Sequence, residues 1–423
     1  MDRRLQRRYV TLVKQQLQAA QALAAGIKAL PSRTTSFAAT QAAWRFLANP
    51  RVTLPHLVEP LRDAGRQAVT ASTASHVLLV HDWSFLAFPT HTGKTDRVSA
   101  GPAPALGYDL ATALLVDAAT GDPLAPMELE LTTAAGVCST REDRPEPAPH
   151  IDQVFATMAA SRGWNLAKPL VHVIDREADG LAQFRAWSAA GHSFVVRVDA
   201  KRRVTWQGGS CLLPAVVQKL QESPAFERVR TLDTGEDLFA AETTITYDQP
   251  GRVRRGPKRV SRPGEPLTVR LIVTQVRDAA GAVTAEWLLV TNTAVTAAQV
   301  SSWYAWRWRI ESFFKLLKGH GQQVESWEQE SGSAIAKRLA VTAMACVVVW
   351  QLQRDRSPAG RTLANWLIRL SGRQMKAGRP VTAPALLAGL EKLIAVLDLL
   401  EETPLEELKQ LLEQVLPGFQ ETG

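Results

Sequence analysis

The chain has 423 residues, 46% apolar and 21% charged, with 12 tryptophans and three cysteines. At about 100 to 200 residues per domain this length suggests two or three domains, each able to bury a core, and the composition excludes a disordered chain, a collagen-like repeat and a small disulfide scaffold. The formal net charge is +8, and its placement matters more than its size.

Residues 1–70 carry eleven basic side chains against Asp2, Glu59 and Asp63, so the remainder of the chain sums to zero. A second basic cluster, Arg252, Arg254, Arg255, Lys258, Arg259 and Arg262, has no acid between Gly251 and Gly264. From Val381 the sign reverses, with eight acids against Lys392 and Lys409. Two separate basic regions suit a polyanion touched at more than one place, although solvated basic surfaces would read the same way. Cys138, Cys211 and Cys346 are too scattered for a disulfide framework or a zinc site, which fits a reducing cytoplasm. No apolar core follows the charged N-terminus, so no secretory signal is expected. The longest apolar run, Leu339 to Leu352, falls short of the ~18 residues a membrane span needs and reads as a buried helix.

In chain order, leucines among Gln, Arg and Ala predict a helix over residues 5–30, ended by Gly26 or Pro31. A second helix is expected from a Ser36 cap to Leu47 and a third from about Pro55 to Val69, making residues 1–70 a basic helical module. Strand texture begins at His76. His76 to His81 is apolar and ends on Asp82, while Tyr108 to Val116 and Pro123 to Thr132 flank a turn at Gly121-Asp122. A helix over 151–162, a strand over 170–174 ending on Asp175, a helix over 181–190 and a strand over 193–198 follow. The order β-β-β-α-β-α-β is that of the ribonuclease-H-like, retroviral-integrase-type fold. Residues 201–295 read as a β-rich insertion. Helical texture returns from Gln299 to Leu416, broken near Ser357-Pro358 and Gly378 to Pro380. The last long helix places Leu386, Leu390, Leu393, Leu397 and Leu400 on one stripe, which must pack on its own domain or on a second subunit.

Asp82 and Asp175 each stand at the end of a predicted strand, where the backbone fixes the side chain. Either one alone reads more simply as an ordinary strand-end or capping aspartate. In Asp175-Arg-Glu-Ala-Asp179 the last residue is the natural cap for the following helix, which leaves Asp175 without that task. The sharpest local signal is Trp303 to Lys318, WYAWRWRIESFFKLLK. At ~100° per residue Tyr304, Arg307, Glu311 and Lys318 share an arc of about 60° beside a face of Trp303, Trp306, Ile310, Phe313, Phe314 and Leu317. A phenol, guanidinium, carboxylate and ammonium so placed suit phosphate chemistry, while the plainer reading is an amphipathic helix with Arg307 paired to Glu311. Together the three carboxylates compose a hard-cation site suited to Mg²⁺ and phosphodiester displacement. His76, His81 and His172 read as core or surface histidines.

The sequence resembles the DDE transposases of bacterial insertion sequences, most closely the insertion-sequence-four group that includes the transposon-five cut-and-paste transposase. The matches, in order, are LLVHDWS with Asp82, Asp-Arg-Glu-Ala-Asp with Asp175, Trp-Leu-Leu-Val-Thr at 287–291, and the Y-x2-R-x3-E-x6-K signature as Tyr304, Arg307, Glu311 and Lys318. AAWRFLANPRV at 42–52 also looks like the family's N-terminal DNA-binding module, which in the family ordinarily begins further upstream. The resemblance covers about residues 3–350. It implies that Asp82, Asp175 and Glu311 hold catalytic Mg²⁺, with Mn²⁺ able to substitute, and that Tyr304, Arg307 and Lys318 position phosphates. It further implies phosphate contacts at Arg197, Lys201 and Arg202, and a base-stacking role for Trp287.

The expected architecture is therefore α/β: a DNA-binding module at 1–70, a ribonuclease-H-like core at 71–200 and 296–355 split by the insertion at 201–295, and a helical region at 356–423 offering a dimer contact. The expected partners are double-stranded DNA, as transposon ends and target, and a second copy of the chain on that DNA, in a bacterial cytoplasm with no membrane. A non-catalytic DNA-binding derivative, a stand-alone nuclease on the same fold and a glycosidase with paired carboxylates are the competing readings.

Overall fold

The computed structural model describes residues 1–18, 36–100, 105–255, 258–319, 321–374 and 381–416. The continuation of the first helix to residue 30 and the break at Gly378 to Pro380 lie outside the described residues. The chain divides into two compact units, one of residues 53–314 with 331–336, the other of residues 1–52, 315–330 and 337–423.

The first unit is built on a mixed sheet. Strand β1 (Val77–Ala87) is followed by β2 (Val98–Ala100), β3 (Ala105–Asp117), β4 (Pro123–Thr133) and β5 (Gly136–Ser139), and later by β6 (Leu170–Ile174) and β7 (Ser193–Arg197). β1 pairs antiparallel with β3 along its whole length and parallel with β6, which in turn pairs parallel with β7. Its first residues, Val77 to His81, are buried, as expected of a strand covered on both faces. The parallel pairs need crossovers, and helices supply them: α4 (His150–Ser161) precedes β6, and α5 (Leu181–Ala189) joins β6 to β7.

Residues 201–295 do not form a separate body. They contribute β8 (Arg203–Trp206), β9 (Gly209–Leu212), helix α6 (Leu213–Gln221), β10 (Glu227–Thr231), β11 (Asp237–Tyr247), β14 (Leu267–Arg277) and β15 (Val283–Thr291). β15 pairs with β7, so the expected insertion extends the same sheet to thirteen strands in the order β5-β4-β3-β1-β6-β7-β15-β14-β11-β8-β9, with β2 on β3 and β10 on β11. The basic cluster forms its own two-stranded hairpin, β12 (Gly251–Arg255) and β13 (Lys258–Arg262). Gly251 sits so close to α5 that a Cβ there would lie 2.9 Å from the Ala182 nitrogen.

Helix α3 (Leu54–Ala71), expected to share a basic module with the two helices before it, packs instead on β4. Its buried face, Leu57, Val58, Leu61 and Gly65, explains this: Gly65 lets the helix approach Met127 and Leu115 closely. The other two, α1 (Arg3–Gln18) and α2 (Ser36–Ala48), belong to the second unit with the C-terminal helices. There Lys14 pairs with Asp398 at 2.7 Å, and Lys337 caps the end of α2 at the Leu47 and Asn49 carbonyls.

Helices α7 (Ala297–Ala305), α8 (Trp308–Lys318), α9 (Gly332–Arg354), α10 (Pro358–Ser371), α11 (Ala383–Glu402) and α12 (Leu405–Val415) complete the chain. α9 is long and apolar enough to cross a membrane, but 72% of its most apolar window is buried inside the protein, which marks it as a core helix. The leucine stripe of α11 is buried at Leu386 and exposed at Leu397. α12 has no buried residue and exposes Leu405, Leu411, Leu412 and Val415.

Candidate active site

β1 runs on to Ala87, so Asp175 ends its strand as expected and Asp82 does not. What ends at Asp82 is the pairing with β6. The last matched pair is His81 with Ile174, so the next residues, Asp82 and Asp175, stand side by side at one level. Neighbouring strands lie about 4.8 Å apart, and a crevice forms where parallel strands finish, so two rigid backbones deliver two carboxylates to one place. Asp175 does cap a turn: its Oδ1 accepts from the Glu177 N–H at 2.8 Å, opening the 3₁₀ turn Arg176–Ala178. Asp179 does not cap α5, whose N-cap is Gly180. It is engaged by Arg202, whose Nε lies 2.9 Å from both of its carboxylate oxygens.

The expected single helix over Trp303 to Lys318 is broken, because α7 ends at Ala305 and α8 starts at Trp308. Through the corner the backbone tightens, with Arg307 N–H donating to Tyr304 C=O at 3.0 Å and Ile310 N–H to Arg307 C=O at 3.1 Å. Trp306 sits at this corner. Its indole lies against Gly121, where a Cβ would come within 2.5 Å, and the Arg230 guanidinium covers it 5.3 Å from the ring centroid. Arg309 pins the same turn by donating to the Gly121 carbonyl at 2.8 Å. Arg307 occupies the corner itself, yet it still bonds Glu311 at i,i+4 and lies 6.0 Å from the centroid of the Tyr304 ring.

From that corner the buried Arg307 guanidinium reaches both sides. Nη1 donates to Asp82 Oδ2 and Nη2 to Glu311 Oε1, each at 2.8 Å, and the side chain is only 9% exposed. Burial pushes the Asp82 carboxyl up to about 6, Arg307 opposes this, and the charges of Asp175 and Glu311 add to it. Burial would lower Arg307, but the charges of Tyr304, Asp82, Glu311 and Asp175 outweigh it and hold the guanidinium above its usual range. Asp82 and Glu311 thus bond one cation, and the Asp175 charge acts on it more weakly.

Tyr304 is buried beside Arg307, its phenol raised by burial and eased by Arg307 and Arg197. The Trp287 ring meets it edge to face at 5.2 Å, so Trp287, Tyr304 and Arg197 come together next to the carboxylates. Lys201 is exposed and lines, with Arg176, Asp199 and Arg252, an open cleft of about 780 Å³. Arg202 is held by Asp179, and Lys318, at the end of α8, lies 3.6 Å from Glu325.

Among the described residues no group of three His, Cys, Asp or Glu side chains is placed to hold a metal ion. The donor chemistry fits a hard divalent ion, since every side-chain ligand candidate is a carboxylate, and Asp82 is held up chiefly by burial with the charges of Asp175 and Glu311 adding to it.

Sequence reasoning missed a neighbouring cluster. The His150 ring bridges Asp109 (2.9 Å) and Glu177 (2.8 Å), and Trp83 stacks on it at 4.3 Å and 6°. Its members come from β3, α4, the turn after β6 and β1, so no local spacing announces it.

No family model matches this chain, and no curated protein matches it. Seven chains of solved structures do. One, a cryo-EM structure of a piggyBac transposase synaptic complex with hairpin DNA, is 9% identical with a TM-score of 0.39, the match covering 97% of this chain and 74% of that one. The chain is thus similar, distantly, to a transposase of known structure.

Proposed function

We propose that this chain is a DDE-type DNA transposase that cleaves and joins DNA strands, with Asp82, Asp175 and Glu311 as its acidic triad. The observation that carries the reading is that Asp82 and Glu311, distant in sequence, bond one buried guanidinium while the strand register sets Asp175 beside Asp82. The strand order β4-β3-β1-β6-β7, an antiparallel meander beside two parallel strands, supports a ribonuclease-H-like core.

In this reading Asp82, Asp175 and Glu311 would hold Mg²⁺ or Mn²⁺. The bound ion supplies Lewis-acid stabilisation of the oxygens entering and leaving phosphorus. Arg307, offering five donors in a planar fork, receives the phosphate beside the cut, with Tyr304 and Arg197 behind it. Trp287 offers a ring for a base leaving the stack. Water attacks phosphorus and the 3′ oxygen departs with its proton restored, giving a 3′-OH. That hydroxyl then attacks the opposite strand by the same in-line displacement, expelling that strand's 3′ oxygen as a hydroxyl. A second water opens the new phosphodiester and restores the 3′-OH, which attacks target DNA and expels a target 3′ oxygen in turn. Two ends must be joined, so two copies act together, and the uncovered leucines of α12 are the proposed contact.

The test is strand cleavage and joining with Mg²⁺ on duplexes bearing the ends of the encoding element. Asp82→Asn, Asp175→Asn and Glu311→Gln should each lose both steps by more than about a hundredfold, since even outer-shell partners of a metal ligand cost about ten- to a hundredfold. DNA binding should survive. Cleavage at the parent rate by all three variants would refute the assignment.

A further inference from the structure

We propose that His150 is a positioning residue that fixes the spacing and orientation of Asp82 and Asp175, an inference that rests on reading those carboxylates as the cation site. Its ring is gripped on both edges by acids: Nε2 by Asp109 Oδ2 at 2.9 Å and Nδ1 by Glu177 Oε2 at 2.8 Å. A neutral imidazole has only one N–H, so two carboxylate partners require both nitrogens to donate, and the ring is a cation.

The two residues that hold this ring are the two that orient the site. Trp83 lies flat on the imidazole, its rotation fixed by an indole N–H donated to Gln153 Oε1 at 2.9 Å. The backbone N–H of Trp83 donates to Asp82 Oδ1 at 2.9 Å. Glu177 grips the ring through its side chain, and its backbone N–H donates to Asp175 Oδ1 at 2.8 Å. One imidazolium therefore clamps β1 to the turn after β6, and each jaw presents one backbone donor to one site carboxylate. Asp109 anchors the clamp to β3, in register with Phe85. Partners of this kind, one bond removed from the ligands, commonly set ligand orientation and affinity.

The charged groups facing the ring are Asp109 from β3 and Glu177 from the turn, while Trp83 from β1 offers an aromatic face. Burial lowers His150, but the hydrogen bonds to Asp109 and Glu177 outweigh it and raise the ring to about 9. The sign follows from that direction: the clamp is charged below this range and opens as the pH rises through about 9.

The experiment uses the full chain, Mn²⁺ as the probe and no DNA. His150→Gln, which is neutral and carries both donors on one nitrogen so that the second acid meets its amide oxygen, should weaken Mn²⁺ binding by about ten- to a hundredfold while the circular dichroism spectrum stays that of the parent. Glu177→Gln should weaken it in the same direction and provides the measurement if the first variant folds poorly. In the ¹³C-histidine spectrum of the parent one ring should titrate near 9, and in Glu177→Gln that ring should move toward the ordinary 6.5. His150→Arg, able to serve both acids, should recover part of the affinity. Equal Mn²⁺ affinity in the parent and both variants, with Asp82→Asn losing it, would overturn the role of His150 and leave the cation site standing. Equal affinity in Asp82→Asn as well, or no binding by the parent, would overturn the site and this inference together.

Discussion

Replacing Arg307 with alanine is expected to abolish DNA cleavage and, at the same time, to tighten Mn²⁺ binding in the absence of DNA by about tenfold or more. The two effects have opposite signs because one guanidinium serves two purposes. Without ligand it lies between Asp82 and Glu311, 2.8 Å from each, and competes with any other cation for their oxygens. Two charges at such separations attract by about 4 kcal/mol even at an effective dielectric of 20, and about 1.4 kcal/mol already corresponds to tenfold. On DNA a phosphate offers the guanidinium an alternative bidentate partner, so the strand to be cut itself draws Arg307 away from the acids. Alanine removes the competitor and also the phosphate contact. Without Mn²⁺ the variant should be less stable by about 3 kcal/mol, because a buried pair broken on one side leaves the other side uncompensated. Calorimetric titration with Mn²⁺ and melting with and without the ion measure both parts. Unchanged or weaker Mn²⁺ binding would mean that the guanidinium does not occupy a cation's place.

Acidification from pH 6.5 to 4.5 should cost the fold up to about 2 kcal/mol, before the carboxylates are fully protonated. The sheet buries a run of three histidines: His81 Nε2 lies 3.0 Å from His172 Nδ1, and the His172 and His192 rings stand edge to face at 5.7 Å. Burial depresses His81 to about 3, with Arg141 adding to the effect. Burial also holds His172 well below its usual range, with His81 and His192 contributing, and lowers His192 beside Arg162. Depressed pKa values mean that the unfolded chain binds protons the folded chain refuses. The stability is therefore complete above 6.5 and is lost as the pH falls toward the folded values, by up to about 1.4 kcal/mol per pH unit for each histidine. Glu128, raised to about 7 chiefly by burial, and Asp82 act in the opposite direction and offset much of this, so the net slope is that of about one histidine. Urea unfolding at pH 7.5, 5.5 and 4.5 reads the loss. His81→Gln and His172→Gln, although less stable at neutral pH, should flatten the pH dependence. An unchanged slope in both would show that these rings are not the source.

Where local pattern governs, the sequence was legible. The apolar run Leu170 to Ile174 is the observed β6, and Ser36, Pro55 and Ser357 mark helix starts to within a residue or two, because caps and prolines act through adjacent backbone. The register that sets Asp82 beside Asp175 was not legible, since pairing of β1 with β6 is decided by tertiary packing across some ninety residues. The corner at Trp306 was invisible for a related reason. Helical periodicity runs through Trp303 to Lys318 without interruption, and Trp306 at the break packs against Gly121 and Arg230 from other elements. The same holds for the His150 clamp, whose parts lie on four elements, and for β15, whose pairing with β7 merges the expected insertion into the main sheet. Asp175 shows the limit of assigning one task to one residue, since it caps a turn and faces the site at once.

The most direct measurement is affinity cleavage of the protein itself, with Fe²⁺ in place of Mg²⁺ and ascorbate with peroxide to release radicals at the bound ion. If Asp82, Asp175 and Glu311 share one cation site, the backbone is cut near all three in the same chain, excess Mg²⁺ suppresses the cuts together, and Asp82→Asn removes them together. Cuts confined to one of the three positions, or cuts that persist in Asp82→Asn, would contradict a shared site.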